Sequence, residues 1–194
     1  SRNLNISSAP TYAAAFNNVN GGCFHSSSTL LSDNNTPLTC KDIIYMLNSK
    51  IKVFVKGYHN NNFTNVEIER IIITPITKQS FCKIDDCILT QHHPIFYNDK
   101  WMHPKDIVEP MIMTDMSYVY NIVLTKLNDI RSQSVIVNGY RCVCLGHGIC
   151  DGSVAEDSFW GTENVINCIN KVFSDDNVIE TKMINIRDPK SQMT

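Results

Sequence analysis

Gly21-Gly22-Cys23-Phe24 places a thiol directly after two glycines, where a loop is about to enter a strand. A cysteine so placed could attack the peptide bond on its own N-terminal side and convert the Gly22 amide into a thioester. A free thiol with a pKa of about 8.5 is only a few per cent thiolate at neutral pH. The amide is also the more stable species, so the attack needs strain in the bond and protonation of the departing amine. Thr90-Gln91-His92-His93, far downstream, carries suitable groups. A hydroxyl can hold a peptide unit, and an imidazole can take and return a proton near neutrality. Glycine at positions 21 and 22 tolerates unusual dihedrals and lets other groups approach the backbone closely. If the two segments meet, the substrate is the chain itself. Taken singly, Cys23 reads first as a buried structural cysteine and His93 as a hydrogen-bonded turn histidine.

The elements that must bring these segments together are short strands. Residues 1–18 are small and polar without periodicity and read as a tail or an upstream segment. Ser28 to Leu31 is a strand ended by Asp33-Asn34-Asn35. Thr39 with Asp42 forms a capping box before one or two helical turns. Ile51, Val53 and Val55 alternate with lysines as a half-buried strand. Asn60-Asn61-Asn62 is a hairpin tip or a mobile loop, and Val66 to Thr77 is a long β-branched strand bending near Pro75. Asp85-Asp86 turns the chain into Cys87 to Leu89. Pro94 keeps His93 out of the helical region, and in an extended segment His92 faces the opposite way and reads as structural. Trp101 sits in a hairpin from Phe96 to Met102. Tyr118 to Leu124 and Ser134 to Leu145 are further strands, the latter turning at Asn138-Gly139. Only the region near 162–173 reads as a clear helix, with Val165, Cys168, Ile169 and Val172 on one face. The fold expected is all-β, with many short strands and one or two short helices. The domain spans 19–175, and a polar tail covers 176–194.

Composition narrows the function. The 194 residues carry 43% hydrophobic and 19% charged side chains, enough for one domain with a core. A net charge of −2 without a basic block disfavours nucleic acid and anionic membrane as partners. No apolar run reaches the ~18 residues of a membrane span, and no signal peptide is apparent. The eight cysteines have irregular spacings and read mostly as free buried thiols of an intracellular, cytoplasmic protein. A monomer is expected. The chain opens at Ser1 and reads as a piece of a longer protein.

Four blocks in order carry a family resemblance. Cys23-Phe24-His25-Ser26-Ser27-Ser28-Thr29-Leu30, followed by Lys41-Asp42-Ile43, resembles the opening block of Hedgehog/intein (Hint) domains. Thr90-Gln91-His92-His93-Pro94-Ile95 resembles their Thr-x-x-His-Pro block. Val119-Tyr120-Asn121-Ile122-Val123-Leu124, then Val135-Ile136-Val137-Asn138-Gly139, resembles the closing strands. The subfamily found beside von Willebrand type A domains, the Vint type, is matched by Lys100-Trp101-Met102-His103-Pro104-Lys105-Asp106, Cys142-Val143-Cys144-Leu145-Gly146-His147-Gly148 and Phe159-Trp160-Gly161-Thr162. The resemblance covers 19–173.

It implies a horseshoe-like β fold and single-turnover, cofactor-free self-processing. Cys23 would perform an N-to-S acyl shift at the Gly22-Cys23 bond, with His93 protonating the Cys23 nitrogen and Thr90 distorting the peptide. The substrate is the chain's own upstream polypeptide. His147 and Cys144 are further site candidates on the resemblance, Cys144 falling near the second cysteine of Hedgehog processing domains. Splicing inteins end in His-Asn, whereas His147 is followed by Gly148-Ile149, so N-terminal cleavage or acyl transfer without splicing is expected. No aspartate in Glu69 to Thr74 matches the sterol-activating residue of Hedgehog domains. The acyl acceptor stays open among water, a small thiol or amine, and a protein nucleophile. Three other readings compete. One is an inactive Hint-like scaffold serving as an interaction module. Another is a papain-like hydrolase, which would set its cysteine at a helix start. The third is a metal site from Cys142, Cys144, His147 and Cys150, or from Cys82 and Cys87, whose spacing fits no common zinc module.

Overall fold

The computed structural model describes residues 22–181. The expected 1–18 segment, Gly21 and positions 182–194 lie outside the described residues. The strands are β1 (Phe24–His25), β2 (Leu30–Leu31), β3 (Pro37–Leu38), β4 (Val53–His59), β5 (Asn62–Pro75), β6 (Gln79–Ile84), β7 (Cys87–Thr90) and β8 (Ile95–Tyr97). They continue with β9 (Lys100–Met102), β10 (Met111–Met113), β11 (Tyr118–Leu124), β12 (Lys126–Leu127), β13 (Ile130–Arg131), β14 (Ser134–Val137), β15 (Tyr140–Val143) and β16 (Val178–Glu180). Among the described residues there are two α-helices, α1 (Cys40–Asn48) and α2 (Glu163–Phe173). The architecture is therefore mostly β with two helices. A 14-stranded sheet follows the open path β10-β6-β7-β1-β11-β5-β4-β14-β15-β8-β9, with three strands off it: β16 beside β5, and β2 beside β14 with β3 paired to β2.

Local chemistry explains most of these elements. Thr39 Oγ1 accepts from the Asp42 N–H at 3.1 Å, and the Asp42 carboxylate accepts from the Thr39 N–H at 2.9 Å, which completes the capping box of α1. Asn60 and Asn61 hold φ of 46° and 66°, as a tight hairpin between β4 and β5 requires. Ile51 stands before β4 and is exposed, so the alternation begins at Val53. β5 starts four residues earlier than its β-branched run and stops at Pro75, which lacks a donor to continue the ladder.

β5 organises both edges of its neighbourhood. Asn62 to Ile68 pair with β4; beyond that, Ile71 to Ile73 pair in parallel with Val178 to Glu180 of β16. The segment expected as a polar tail thus contributes a strand, with Ile179 buried. The other edge of β5 pairs with β11. β11 is covered on both faces, which is why it reads as an apolar and aromatic run broken only by Asn121. Tyr120, Ile122 and Leu124 enter the main core, while Val123 joins Ile72, Ile179 and the underside of α2. Helix α2 buries Val165, Ile166 and Ile169 and leaves Val172 exposed, a small rotation from the expected face. Ile166 turns inward because it lies over this second cluster.

Candidate functional site

The register of the central strands assembles the site. Phe24 faces Leu89 of β7 on one side and Tyr120 of β11 on the other. Both pairings are antiparallel, so one step back along the chain Cys23 falls between Thr90 and Asn121. Two strands thus bring residues 67 and 98 positions away to one peptide unit.

Thr90 grips Cys23. Its Oγ1 accepts from the Cys23 N–H at 2.8 Å and donates to the Cys23 carbonyl at 3.3 Å, while the Thr90 N–H donates to that carbonyl at 3.1 Å. Asn121 holds the other end of the bond. Its amide Nδ2 donates to the Gly22 carbonyl oxygen at 2.6 Å and approaches Cys23 Sγ at 3.2 Å. The Gly22-Cys23 peptide is therefore held at both its oxygen and its nitrogen by side chains. A donor on the oxygen is the arrangement that stabilises a tetrahedral oxyanion there. The sequence reading passed over Asn121. Its signal was available: a lone amide within the otherwise apolar and aromatic run of β11, where a buried polar group demands a partner.

Gly22 is required by contact. A Cβ built at this position would meet His93 Cα at 2.8 Å and His93 Cγ at 2.8 Å, closer than real Cβ atoms come. The missing side chain lets the Gly22 backbone pack directly against His93.

His93 is buried, its ring 4.5 Å from that of Phe24. Its Nε2 lies 2.8 Å from the Val143 carbonyl, which can only accept, so Nε2 carries the proton and Nδ1 offers a lone pair. Nδ1 is buried and makes no hydrogen bond among the described residues. Burial lowers the His93 pKa to about 4, and a neighbouring His147 adds to the effect, against the opposing pull of backbone groups of Val143 and Cys23. Burial likewise pushes the Cys23 thiol up to about 12, partly offset by the Asn121 hydrogen bond. At neutral pH the pair rests as thiol and neutral imidazole. A pKa of about 12 against about 4 makes the separated ion pair roughly 11 kcal/mol uphill before mutual attraction is counted.

His147 and Cys144 share one cavity wall with Gly22, His93 and Asn121. His147 Nδ1 accepts from the Ile149 N–H at 3.0 Å, so its proton sits on Nε2 and Nδ1 has no lone pair to spare. A Cβ at Gly161 would sit 2.8 Å from its Cε1, so the ring is wedged in the turn. Burial lowers its pKa to about 4 despite the nearby Asp157 charge. This geometry suits a stapling residue more than a proton carrier. Cys144 is a free, buried thiol whose pKa burial raises well above normal. His92 lines the cavity beside His93, its ring 5.3 Å from that of His103.

All eight cysteines are free; six are buried, Cys168 is intermediate and Cys150 is exposed. Cys82 points at the Val108 carbonyl, and Cys150 lies 3.6 Å from Glu156 Oε1. Among the described residues no group of three or more His, Cys, Asp or Glu is arranged to hold a metal ion. Cys23 leads into strand β1, so no helix dipole acts to acidify it. No helix among the described residues is long and apolar enough to cross a membrane.

The Vint family model, described as a Hint domain, matches residues 22–194. Among solved structures, the chain is similar to the DnaB intein from Synechocystis sp. PCC 6803 at 11% identity and a TM-score of 0.44, covering 64% of this chain and 99% of that one. It is also similar to the bacterial intein-like domain from Clostridium thermocellum at 12% identity and a TM-score of 0.46, covering 63% of this chain and 97% of that one. Comparison with curated proteins returns no match. With the family model beginning at Gly22, beside the nucleophile candidate, and extending over most of the chain, the protein belongs to the Vint family of Hint domains.

Proposed function

We propose that this Hint domain processes itself by an N-to-S acyl shift at the Gly22-Cys23 bond, releasing or transferring the upstream polypeptide without splicing. The observation that carries the reading is the two-ended grip on one peptide unit: Asn121 Nδ2 at 2.6 Å from the Gly22 oxygen and Thr90 Oγ1 at 2.8 Å from the Cys23 nitrogen. The Cys23 thiol proton passes to His93 Nδ1 as Sγ bonds to the Gly22 carbonyl carbon. Negative charge develops on the Gly22 oxygen, where Asn121 donates. The C–N bond then breaks, and His93 returns its proton to the Cys23 nitrogen, leaving a thioester and a free amine. An imidazolium with a pKa of about 4 is a strong donor for that second transfer. The ~11 kcal/mol separating thiol and imidazole from their ion pair requires proton transfer and C–S bonding to proceed together.

The deeply buried, protonated Cys23 also favours a second reading, a Hint-like scaffold that no longer reacts and serves as an interaction module. Hydroxylamine separates them. The intact protein incubated with it is expected to lose the segment upstream of Cys23 as a hydroxamate, and Cys23→Ala is expected to stay whole. A wild-type mass unchanged after prolonged treatment supports the scaffold.

A further inference from the structure

Resting on the acyl-shift reading, we propose that the turn from Asp157 to Gly161 is a clamp that holds His147 as a water shield beside His93, with Asp157 as its positioning residue. Each link of the clamp is a hydrogen bond. One oxygen of the Asp157 carboxylate accepts from the Phe159 N–H at 2.8 Å and from the Trp160 N–H at 2.7 Å. The Asp157 carbonyl accepts from the Gly161 N–H at 3.2 Å. An aspartate that binds its own backbone a few residues on folds the segment into a turn. The turn then offers two carbonyls to the loop that carries His147. The Gly146 N–H donates to the Trp160 carbonyl and the Gly148 N–H to the Gly161 carbonyl, both at 2.7 Å. His147 is thus pinned through both of its chain neighbours, and the bare Gly161 backbone closes on its ring.

The clamp matters for His93 because that ring forms part of a cavity wall yet is only 1% exposed. His147 lines the same cavity, is buried too, and lies close enough that its charge is felt at His93. Asp157 itself is exposed, so removing its side chain empties no core and takes away only the turn's hydrogen bonds and one charge. Water admitted to His93 would solvate its imidazolium and lift its proton affinity toward the ordinary value. The imidazolium that returns a proton to the Cys23 nitrogen would then be a weaker acid. The carboxylates acting on His147 are Asp157 and Asp151. Around His93 the titratable side chains are Cys23, His92, Cys144 and His147. Loss of the Asp157 charge alone would push the His147 pKa further down, whereas loss of the shield pushes that of His93 up. The two effects are therefore separable by direction.

The test compares the full chain with Asp157→Ala and Asp157→Asn. Hydroxylamine-induced cleavage is timed, and the His93 ring is followed by NMR from pH 7.5 to 5.5 in a Cys23→Ala background that keeps the chain whole. The wild-type ring, with a pKa of about 4, is expected to stay neutral over that range. Asp157→Ala is expected to cleave about tenfold slower or more, as misplacement near a reacting centre does, and its His93 ring is expected to titrate above pH 5.5. Asp157→Asn keeps the accepting oxygen without the charge and is expected to restore both readouts. Should the alanine variant fail to fold, Gly161→Ala decides, since its methyl displaces the His147 ring directly and should bring the same slowing and the same titration. A His93 ring that stays neutral in the folded alanine variant, or cleavage at the wild-type rate, overturns the clamp. An asparagine variant as slow as alanine assigns the effect to charge and overturns the turn. Absence of cleavage in wild type overturns the acyl shift, while the NMR arm still reads the shield.

Discussion

The Asn121 side-chain nitrogen stands 2.6 Å from the Gly22 carbonyl oxygen, closer than its 3.2 Å approach to the Cys23 sulfur. The amide is therefore committed first to the atom on which charge would develop, and only second to the nucleophile. Removing one such donor costs about 10²- to 10³-fold in rate where an oxyanion forms. Asn121→Ala is expected to slow hydroxylamine-induced cleavage by that factor with the folded structure retained. Asn121→Asp, of the same shape but with no donor at neutral pH, is expected to be as poor. A rate within threefold of wild type for both variants removes Asn121 from the reaction.

Gly22→Ala tests the contact between Gly22 and His93. The added methyl would lie 2.8 Å from His93 Cα, a backbone atom that cannot swing aside. Either the Gly22 carbonyl leaves Asn121 or the Thr90–His93 turn shifts. Overpacking of this kind costs about 1–3 kcal/mol. Cleavage is expected to fall below detection while thermal melting drops by only a few degrees. An alanine variant cleaving at the wild-type rate would show that the upstream residue is held differently during reaction.

The buried histidines predict acid sensitivity. His93 and His147 take up a proton near 6.5 when the chain is unfolded, but only near 4 when folded. Between those values the unfolded chain binds more protons, so stability is complete above about pH 6.5 and declines as pH falls toward 4. Each histidine accounts for roughly 3 kcal/mol over that window. At the alkaline end the Cys23 thiol ionises near 9 in the unfolded chain and near 12 in the folded one, so stability falls again as pH rises from 9. Urea midpoints measured from pH 4.5 to 10 should form a plateau between 6.5 and 9. A midpoint that is flat down to pH 4.5 contradicts the neutral, buried state of both rings.

Much of this was legible from residue order because the relevant rules are local. The Asn60-Asn61 and Asn138-Gly139 turns, the Thr39 capping box and the bounds of β11 follow from side chains acting within a few residues. The meeting of Cys23 with Thr90 came from the family blocks, and register alone explains it. Asn121 escaped notice because its role depends on which strand lies next to β1, a non-local fact. The tautomer of His147 depends on the Ile149 N–H in the folded turn, so sequence could keep it only as a further candidate behind His93. β16 was hidden by its polar flanks. Val178-Ile179 is too short to announce a strand, and only the edge of β5 left open beyond β4 gives it a partner.

That late strand bears on the site. Ile179 is paired across from Ile72, and Ile72 across from Asn121, so the three residues form one row over β16, β5 and β11. Ile179 and Ile72 lie in the cluster beneath α2, while Asn121 continues the row toward the Gly22-Cys23 peptide. Truncating a buried isoleucine costs about 2–5 kcal/mol, from lost transfer energy and the cavity left behind. Ile179→Ala is expected to lower the urea midpoint accordingly. It is also expected to loosen the backing of β11, so that cleavage slows several-fold at a urea concentration where wild type is unaffected. Ile179→Val, which keeps most of the contact, should restore both readouts. Stability lost without any change in cleavage would show that β11 holds Asn121 in place independently of β16.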